Sequence, residues 1–391
     1  MVVHLTVAAL SAVAGAGATV VTQHVLAPGG GAAVTSRAAA AEQHQAMDDQ
    51  AVYKQVEPGV VDVTASLQYL QETARGTGFV IDAADGLVLT NNHVINQATS
   101  VTVTLVTSGK SYPARILGYD AADDVALLQL QGVTGLKAVM IGDSSRVKVG
   151  TQVLAMGNEG GQGGAPTIAP GVISSLNRTI VASDQTSGLT ETLYGMLQTN
   201  ADVRPGDSGG PLADATGRVI GIDTAAGGDA VYSGYAIPIN QALPIARQIA
   251  AGRPGARIQI GLPAFLGALV PHSTSSDPRR QASQELRQTG AVSSSGSTCT
   301  SSATSATPAS IAPARSGALV DGVICGTPAA AAGLFAGDVI TSIGGKAVAS
   351  PSALNAIVSR YRPGSRAALA WVGPGGRRHT AVVTLEAGPA A

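Results

Sequence analysis

The sequence predicts a mainly β chain with a small α+β unit towards its C-terminal side, and three observations predict it. Short apolar runs recur from Val52 to about Ile258, each closed by turn residues; residues 60–63, 78–81, 87–89, 101–106, 125–130, 153–155 and 219–222 are examples. Glycine numbers 49 among 391 residues while aromatics make up 3%, so turns are frequent and the core is built from Val, Ile, Leu and Ala. Beyond about Gly317 the pattern changes to strands near residues 318–320, 338–340, 369–372 and 381–385 around a helix at residues 352–361. Many short strands at regular spacing indicate a barrel or a sandwich for the first unit. A helix at residues 239–251 closes that unit, because Gly252 and Pro254 follow it at once.

Composition narrows the function classes. With 45% hydrophobic and 13% charged residues the chain carries folded cores, and its length is that of two or three domains. A formal net charge of -1 and basic clusters no longer than Arg279, Arg280 and Arg377, Arg378 give no surface for nucleic acid. Residues 2–21 hold no acidic residue, Lys or Arg and fit a membrane span or a signal core, against a buried Ala-rich helix. The basic flank expected there is absent, since the first Lys or Arg is Arg37, and Ala16, Gly17, Ala18 offer a small-residue cleavage site. Anchor and cleaved signal both remain open for residues 1–27, with residues 28–50 a flexible Gly/Ala/Gln stalk. Cys299 and Cys325 are too few for a disulfide framework and badly spaced for zinc; in an exported chain, paired and free thiols are equally open. Residues 272–316, dominated by Ser, Thr, Pro and Ala, read as a disordered or surface insertion without a core.

The chemistry concentrates in "RPGDSGGPL", residues 204–212. A Gly-Ser-Gly stretch is most often a tight turn. A serine hydroxyl becomes a nucleophile only beside an imidazole that takes its proton, and that imidazole needs a carboxylate to hold its tautomer. Of six histidines, His4, His24 and His44 lie before the β unit and His272 and His379 after it, which leaves His93 in "LTNNHVI" as the general base if Ser208 has one. Asp124 in "DDVALLQL" stands at the start of a strand and completes an ordered His, Asp, Ser set. Each residue alone has an ordinary structural explanation, and together they form a triad. The Gly-rich run at residues 157–164 lacks a Gly-Lys-Ser/Thr ending and reads as a loop, not a phosphate site.

The segments "GTGFVI", "LTNNHVI", "DVALLQL", "PGDSGGPL" and "YAIPI", in this order, resemble the chymotrypsin-like serine proteases and, more closely, the HtrA/Deg family of exported proteases. That resemblance implies a chymotrypsin-like double β-barrel protease domain at 51–258 and a small α+β PDZ domain at 259–388 that carries the insertion. It implies Ser208 as nucleophile, His93 as base and acid, Asp124 as orienting carboxylate, and the N–H groups of Gly206 and Ser208 as the oxyanion hole. It further implies endoproteolysis of unfolded or misfolded proteins outside the cytoplasm, without metal or organic cofactor, and a trimer by family likeness alone. The other reading in play is a catalytically silent peptide-binding scaffold or holdase. Two residues depart from the HtrA pattern. Asp207 stands where Asn is usual, and Asp202 occupies the place of the specificity acid of trypsin-like enzymes, either selecting basic substrate side chains or facing solvent. "AFLGALV" resembles a PDZ carboxylate-binding loop, with Leu266, Gly267 and Ala268 offering N–H groups to a peptide C-terminus and Leu354 lining the pocket; the same residues also fit a plain core.

Overall fold

The computed structural model describes residues 47–183, 190–224, 234–290, 292–293, 299–301 and 306–390. The segment read as anchor or signal and most of the stalk lie outside the described residues. Among the described residues no helix is long and apolar enough to cross a membrane.

After helix α1 (Asp49–Val56), six strands close on themselves: β1 (Val60–Leu67), β2 (Glu72–Asp82), β3 (Leu87–Thr90), β4 (Ser100–Leu105), β5 (Ser111–Asp120) and β6 (Val125–Leu130), with the short helix α2 (Asn92–Ile95) after β3. Neighbours run in the order β5-β4-β1-β2-β3-β6, and β5 pairs with β6 to shut the ring. Alternate residues of β4 point inwards, so Val101 and Val103 are buried while Thr102 is exposed, as a one-sided barrel wall requires. Val61, Val63, Val88, Leu128 and Ile116 fill this barrel.

A second ring repeats the design. After β7 (Met140–Ile141) come β8 (Gln152–Gly157), β9 (Thr167–Ser183), β10 (Thr190–Thr199), β11 (Pro211–Asp214), β12 (Arg218–Thr224) and β13 (Gly234–Pro238), ordered β11-β8-β9-β10-β13-β12 and closed by β11 on β12. A shared core joins Phe79, Leu89 and Leu127 of the first barrel to Leu154 and Met156 of the second and to Ile239, Ile245 and Ile249 of α3 (Ile239–Ala250). Closure removes the open edges of both sheets and brings the ends of β3, β6 and β11 to one place. Strand β14 (Ile258–Ile260) then pairs with β5, so the first sheet runs slightly past Ile258.

The remaining chain forms a separate core. It contains β15 (Ala264–Phe265), β16 (Ala268–Leu269), α4 (Pro278–Thr289), β17 (Val292–Ser293), β18 (Thr307–Pro308), β19 (Ala318–Leu319), β20 (Gly322–Val323), α5 (Pro328–Ala332), β21 (Val339–Ile343), β22 (Lys346–Ala347), α6 (Pro351–Val358), β23 (Arg366–Val372), β24 (Arg378–Thr384) and β25 (Glu386–Ala387). Strands β19, β21, β23 and β24, with β22 paired to β21, make the sheet, and Leu354 of α6 is buried in the same core as Leu369 and Trp371.

The insertion is where sequence and structure differ most. Instead of a coreless surface loop, α4 starts at an N-cap, Asp277, whose carboxylate accepts from the Arg279 N–H, has Pro278 in its first turn, and ends at Gly290 in the left-handed region. Its Ala282 packs with Ala312, Leu319 and Val339 on the sheet. Fully buried Gln281 donates to the Gly317 and Ser275 carbonyls and accepts from the Leu319 N–H. A single amide thus satisfies the edge of β19 where a neighbouring strand is missing. Cys299 and Cys325 form a disulfide that ties the insertion to the turn after β20.

Candidate active site

His93 lies on α2, immediately after β3, and Asp124 is the residue that enters β6; β3 and β6 are paired neighbours. The register Thr90↔Ala126 brings the two side chains together. Asp124 is 1% exposed and sits at φ +51, a left-handed conformation that Asp tolerates better than most residues. One carboxylate oxygen lies 2.8 Å from His93 Nδ1, and the other accepts from the His93 main-chain N–H at 2.9 Å. A carboxylate only accepts, so Nδ1 carries the proton and Nε2 is the ring's acceptor. Asn91 adds a third tie, donating from Nδ2 to the Asp124 carbonyl at 2.9 Å.

Ser208 comes from the turn between β10 and β11. Its carbonyl accepts from the Thr77 N–H of β2 at 2.9 Å, so the second barrel's turn is fastened to the first barrel. Thr77, fully buried, is the centre of this junction. Its hydroxyl donates to the Gly206 carbonyl at 2.7 Å and accepts from the Asn158 N–H at 2.9 Å, while its carbonyl accepts from Thr90 at 2.6 Å. Sequence reasoning missed Thr77; it stands inside "GTGFVI", and its role depends on a contact between barrels that no local pattern encodes.

The turn's shape requires glycine at two positions. Gly206 has φ +102, and a Cβ there would lie 2.2 Å from the Asn158 carbonyl oxygen; at Gly209, with φ +87, it would lie 2.1 Å from the Thr77 carbonyl oxygen. The Pro205 carbonyl accepts from the Gly160 N–H at 2.8 Å. In a planar trans amide the next N–H points the opposite way, so the Gly206 N–H is turned away from residues 159–161. Thr224 of β12 donates to Asn91 Oδ1 at 3.3 Å, linking the wall of the second barrel to the His93 turn.

Asp202 lines a cavity of about 260 Å³ with Glu159, Thr167, Asn200 and Asp207. Its carboxylate is already held by Arg204, whose Nε donates to it at 2.9 Å and whose other arm pairs with Glu159. With its side chain 42% exposed, Asp202 is a compensated surface acid and lacks the buried, unpaired charge that selection of a basic side chain demands.

Leu266, Gly267 and Ala268 join β15 to β16. The Leu266 carbonyl accepts from Ala329 at 2.8 Å and the Gly267 carbonyl from Ile324 at 3.0 Å, so the N–H groups of Gly267 and Ala268 point away from those partners. Leu266 and Leu354 are both buried in the core of this unit.

Two family matches follow the same division. Residues 76–222 match the trypsin-like peptidase domain family and residues 302–382 the PDZ domain family. The chain is 34% identical over 298 residues to the "Periplasmic pH-dependent serine endoprotease DegQ" of Escherichia coli (strain K12), covering 75% of this chain and 55% of the relative. It is 33% identical over 300 residues to the "Periplasmic serine endoprotease DegP" of Salmonella typhimurium, covering 76% and 54%. In sequence it is similar to these HtrA/Deg-type proteases. The "Putative serine protease HhoA" of a Synechocystis strain is 34% identical over 288 residues, covering 73% of this HtrA/Deg-like chain and 64% of the relative. The HtrA/Deg-like chain spans little more than half the length of the first two relatives.

Proposed function

We propose that this chain is a serine endopeptidase acting on unfolded polypeptides outside the cytoplasm. The observation that carries the reading is the double hold of Asp124 on His93, in one chain with Ser208 on a turn fastened to the same barrel. Ser208 Oγ attacks the scissile carbonyl carbon, and His93 Nε2 takes the hydroxyl proton as the C–O bond forms. Asp124 stays ionised and stabilises the imidazolium that results. The N–H groups of Gly206 and Ser208 receive the oxyanion. His93 then returns the proton to the leaving amine, the C–N bond breaks, and an acyl-Ser208 intermediate remains. Water activated by His93 hydrolyses it and restores the serine.

The PDZ unit supplies a second binding mode, in which a peptide C-terminus places its carboxylate at the N–H groups of Leu266, Gly267 and Ala268 and adds as a strand beside β16. The Cys299–Cys325 disulfide and the periplasmic relatives support an oxidising, extracytoplasmic setting. Tethering through the apolar segment at residues 2–21 belongs to the same proposal. Membrane fractionation of cells carrying the full chain tests it, and release of the chain into the soluble fraction would oppose it.

The triad itself is tested by mass spectrometry after treatment with a fluorophosphonate. A covalent adduct is expected on Ser208 in the parent chain and absent from His93→Ala, whereas equal labelling of both would remove His93 as the base.

A further inference from the structure

The turn that carries Ser208 rests on two acids for which the proposed chemistry has no use. Asp223 of β12 is completely buried and Asp207 is 6% exposed. Their main chains bracket the glycines after Ser208. The Gly209 N–H donates to the Asp223 carbonyl, the Asp223 N–H to the Gly210 carbonyl, and the Gly210 N–H to the Asp207 carbonyl, each at 2.8 Å.

The two carboxyl groups differ in their partners. One oxygen of Asp207 accepts from the Arg204 main-chain N–H at 2.9 Å, and the other lies 3.5 Å from the Thr167 hydroxyl. Among the described residues neither carboxyl oxygen of Asp223 makes a full hydrogen bond, and the Met156 main-chain N–H is the one donor near enough to oppose protonation. A buried carboxylate without a counter-ion or a full hydrogen bond takes up a proton instead, and a second acid beside it strengthens that preference. Burial first, and the Asp207 carboxylate second, hold the Asp223 carboxyl well above the ordinary carboxylate range. Burial likewise pushes Asp207 up to about 6, with Glu159 adding to the rise and hydrogen bonds from Arg204 and Thr167 opposing it. The surroundings offer little relief. Arg204 is shared with Glu159 and Asp202; β8 and β9 contribute uncharged Met156, Gly157 and Thr167, and β13 sets Ala236 opposite Asp223.

We propose that Asp207 and Asp223 share one proton behind the Ser208 turn, and that Asp223 is a positioning residue whose ionisation at alkaline pH puts a second charge under the turn and loosens it. The pair stands on burial and main-chain geometry, while its consequence for catalysis rests on the peptidase reading above. A folded-state pKa raised above the unfolded value gives stability that is complete below the unfolded pKa and is lost as pH rises through the folded one. Asp223→Asn keeps the shape without the titration.

The experiment uses the full chain carrying Ser208→Ala, which prevents self-cleavage, with and without Asp223→Asn. Infrared spectra and thermal unfolding are recorded from about pH 5 to about pH 9. A protonated-carboxyl band present at neutral pH and lost in Asp223→Asn is expected. The variant's Tm advantage should widen with pH by about 3 °C or more. An unchanged band, or a Tm difference independent of pH, would overturn the proposal. Should Asp223→Asn fail to fold, Asp207→Asn replaces it: removing the neighbouring charge must move the Asp223 band's titration to lower pH, and an unmoved titration overturns the pair. In the Ser208 background, kcat/KM should lose its alkaline limb at a higher pH in Asp223→Asn than in the parent. Absence of peptidase activity from every variant, with the band and Tm behaving as expected, sinks the peptidase reading and leaves the pair standing.

Discussion

Asp124 holds His93 at two points, its side chain meeting Nδ1 at 2.8 Å and its other oxygen accepting from the main-chain N–H at 2.9 Å. The first contact fixes the tautomer; the second fixes where α2 begins relative to β6. Orientation of the imidazole is therefore set by the barrel and not by the histidine's own rotamer preference.

Asp124→Asn is the sharpest test of that hold. Asn tolerates the left-handed backbone at this position, so the fold is retained while the amide now donates towards the ring and selects the other tautomer. A drop of roughly 10⁴-fold in kcat with little change in KM is expected. Steady-state kinetics on a peptide substrate, with circular dichroism to verify folding, read it out.

Thr77→Val removes a buried hydroxyl that serves both Gly206 and Asn158. Leaving those groups unpaired should destabilise the chain by about 1–3 kcal/mol. Because the lost contact supports the turn that carries Ser208, the proposed mechanism predicts that kcat falls while KM stays near the parent value. A rise in KM with kcat unchanged would remove Thr77 from the support of the turn.

Arg204 masks Asp202. Cleavage of a randomised peptide library by the parent should accordingly show no enrichment of Arg or Lys before the cut. In Arg204→Ala the freed carboxylate should raise cleavage after basic residues. A strong basic preference already present in the parent would restore Asp202 as the specificity residue.

The insertion should be cooperative with the PDZ sheet. Gln281→Met leaves the Leu319 N–H and the Gly317 carbonyl without their buried partner, at a cost of about 1–3 kcal/mol. Cutting the disulfide, which spans 26 residues, removes about 3 kcal/mol in the chain-entropy account. In both variants limited proteolysis should open residues 272–316 first and leave the barrels intact.

Much of this architecture is legible in the sequence because the signals are local. The period-two alternation of β4, the Gly252 stop after α3 and the turn residues of "RPGDSGGPL" each act within a few positions. Even α4 was signalled, by Asp277 as cap, Pro278 in the first turn and Gly290 at the end, but its low apolar content masked it; a buried glutamine does the work expected of a hydrophobic stripe. What local pattern does not encode is contact across barrels. Thr77 under Gly206 and Asp223 behind Asp207 join residues brought near by closure of the second ring or by its docking on the first, whereas Arg204 over Asp202 is a local pair two positions apart. The fold and the pairing of His93 with Asp124 were therefore readable, while Thr77 and Asp223 beside the Ser208 turn were not.

The central claim is that Ser208 cuts polypeptides. Mass-spectrometric mapping of the fragments made from an unfolded model protein, by the full chain beside Ser208→Ala, tests it most directly. Internal cuts made by the parent and missing with the variant are the predicted result; the same cuts from both proteins, or none from either even with a C-terminal peptide added, would contradict it.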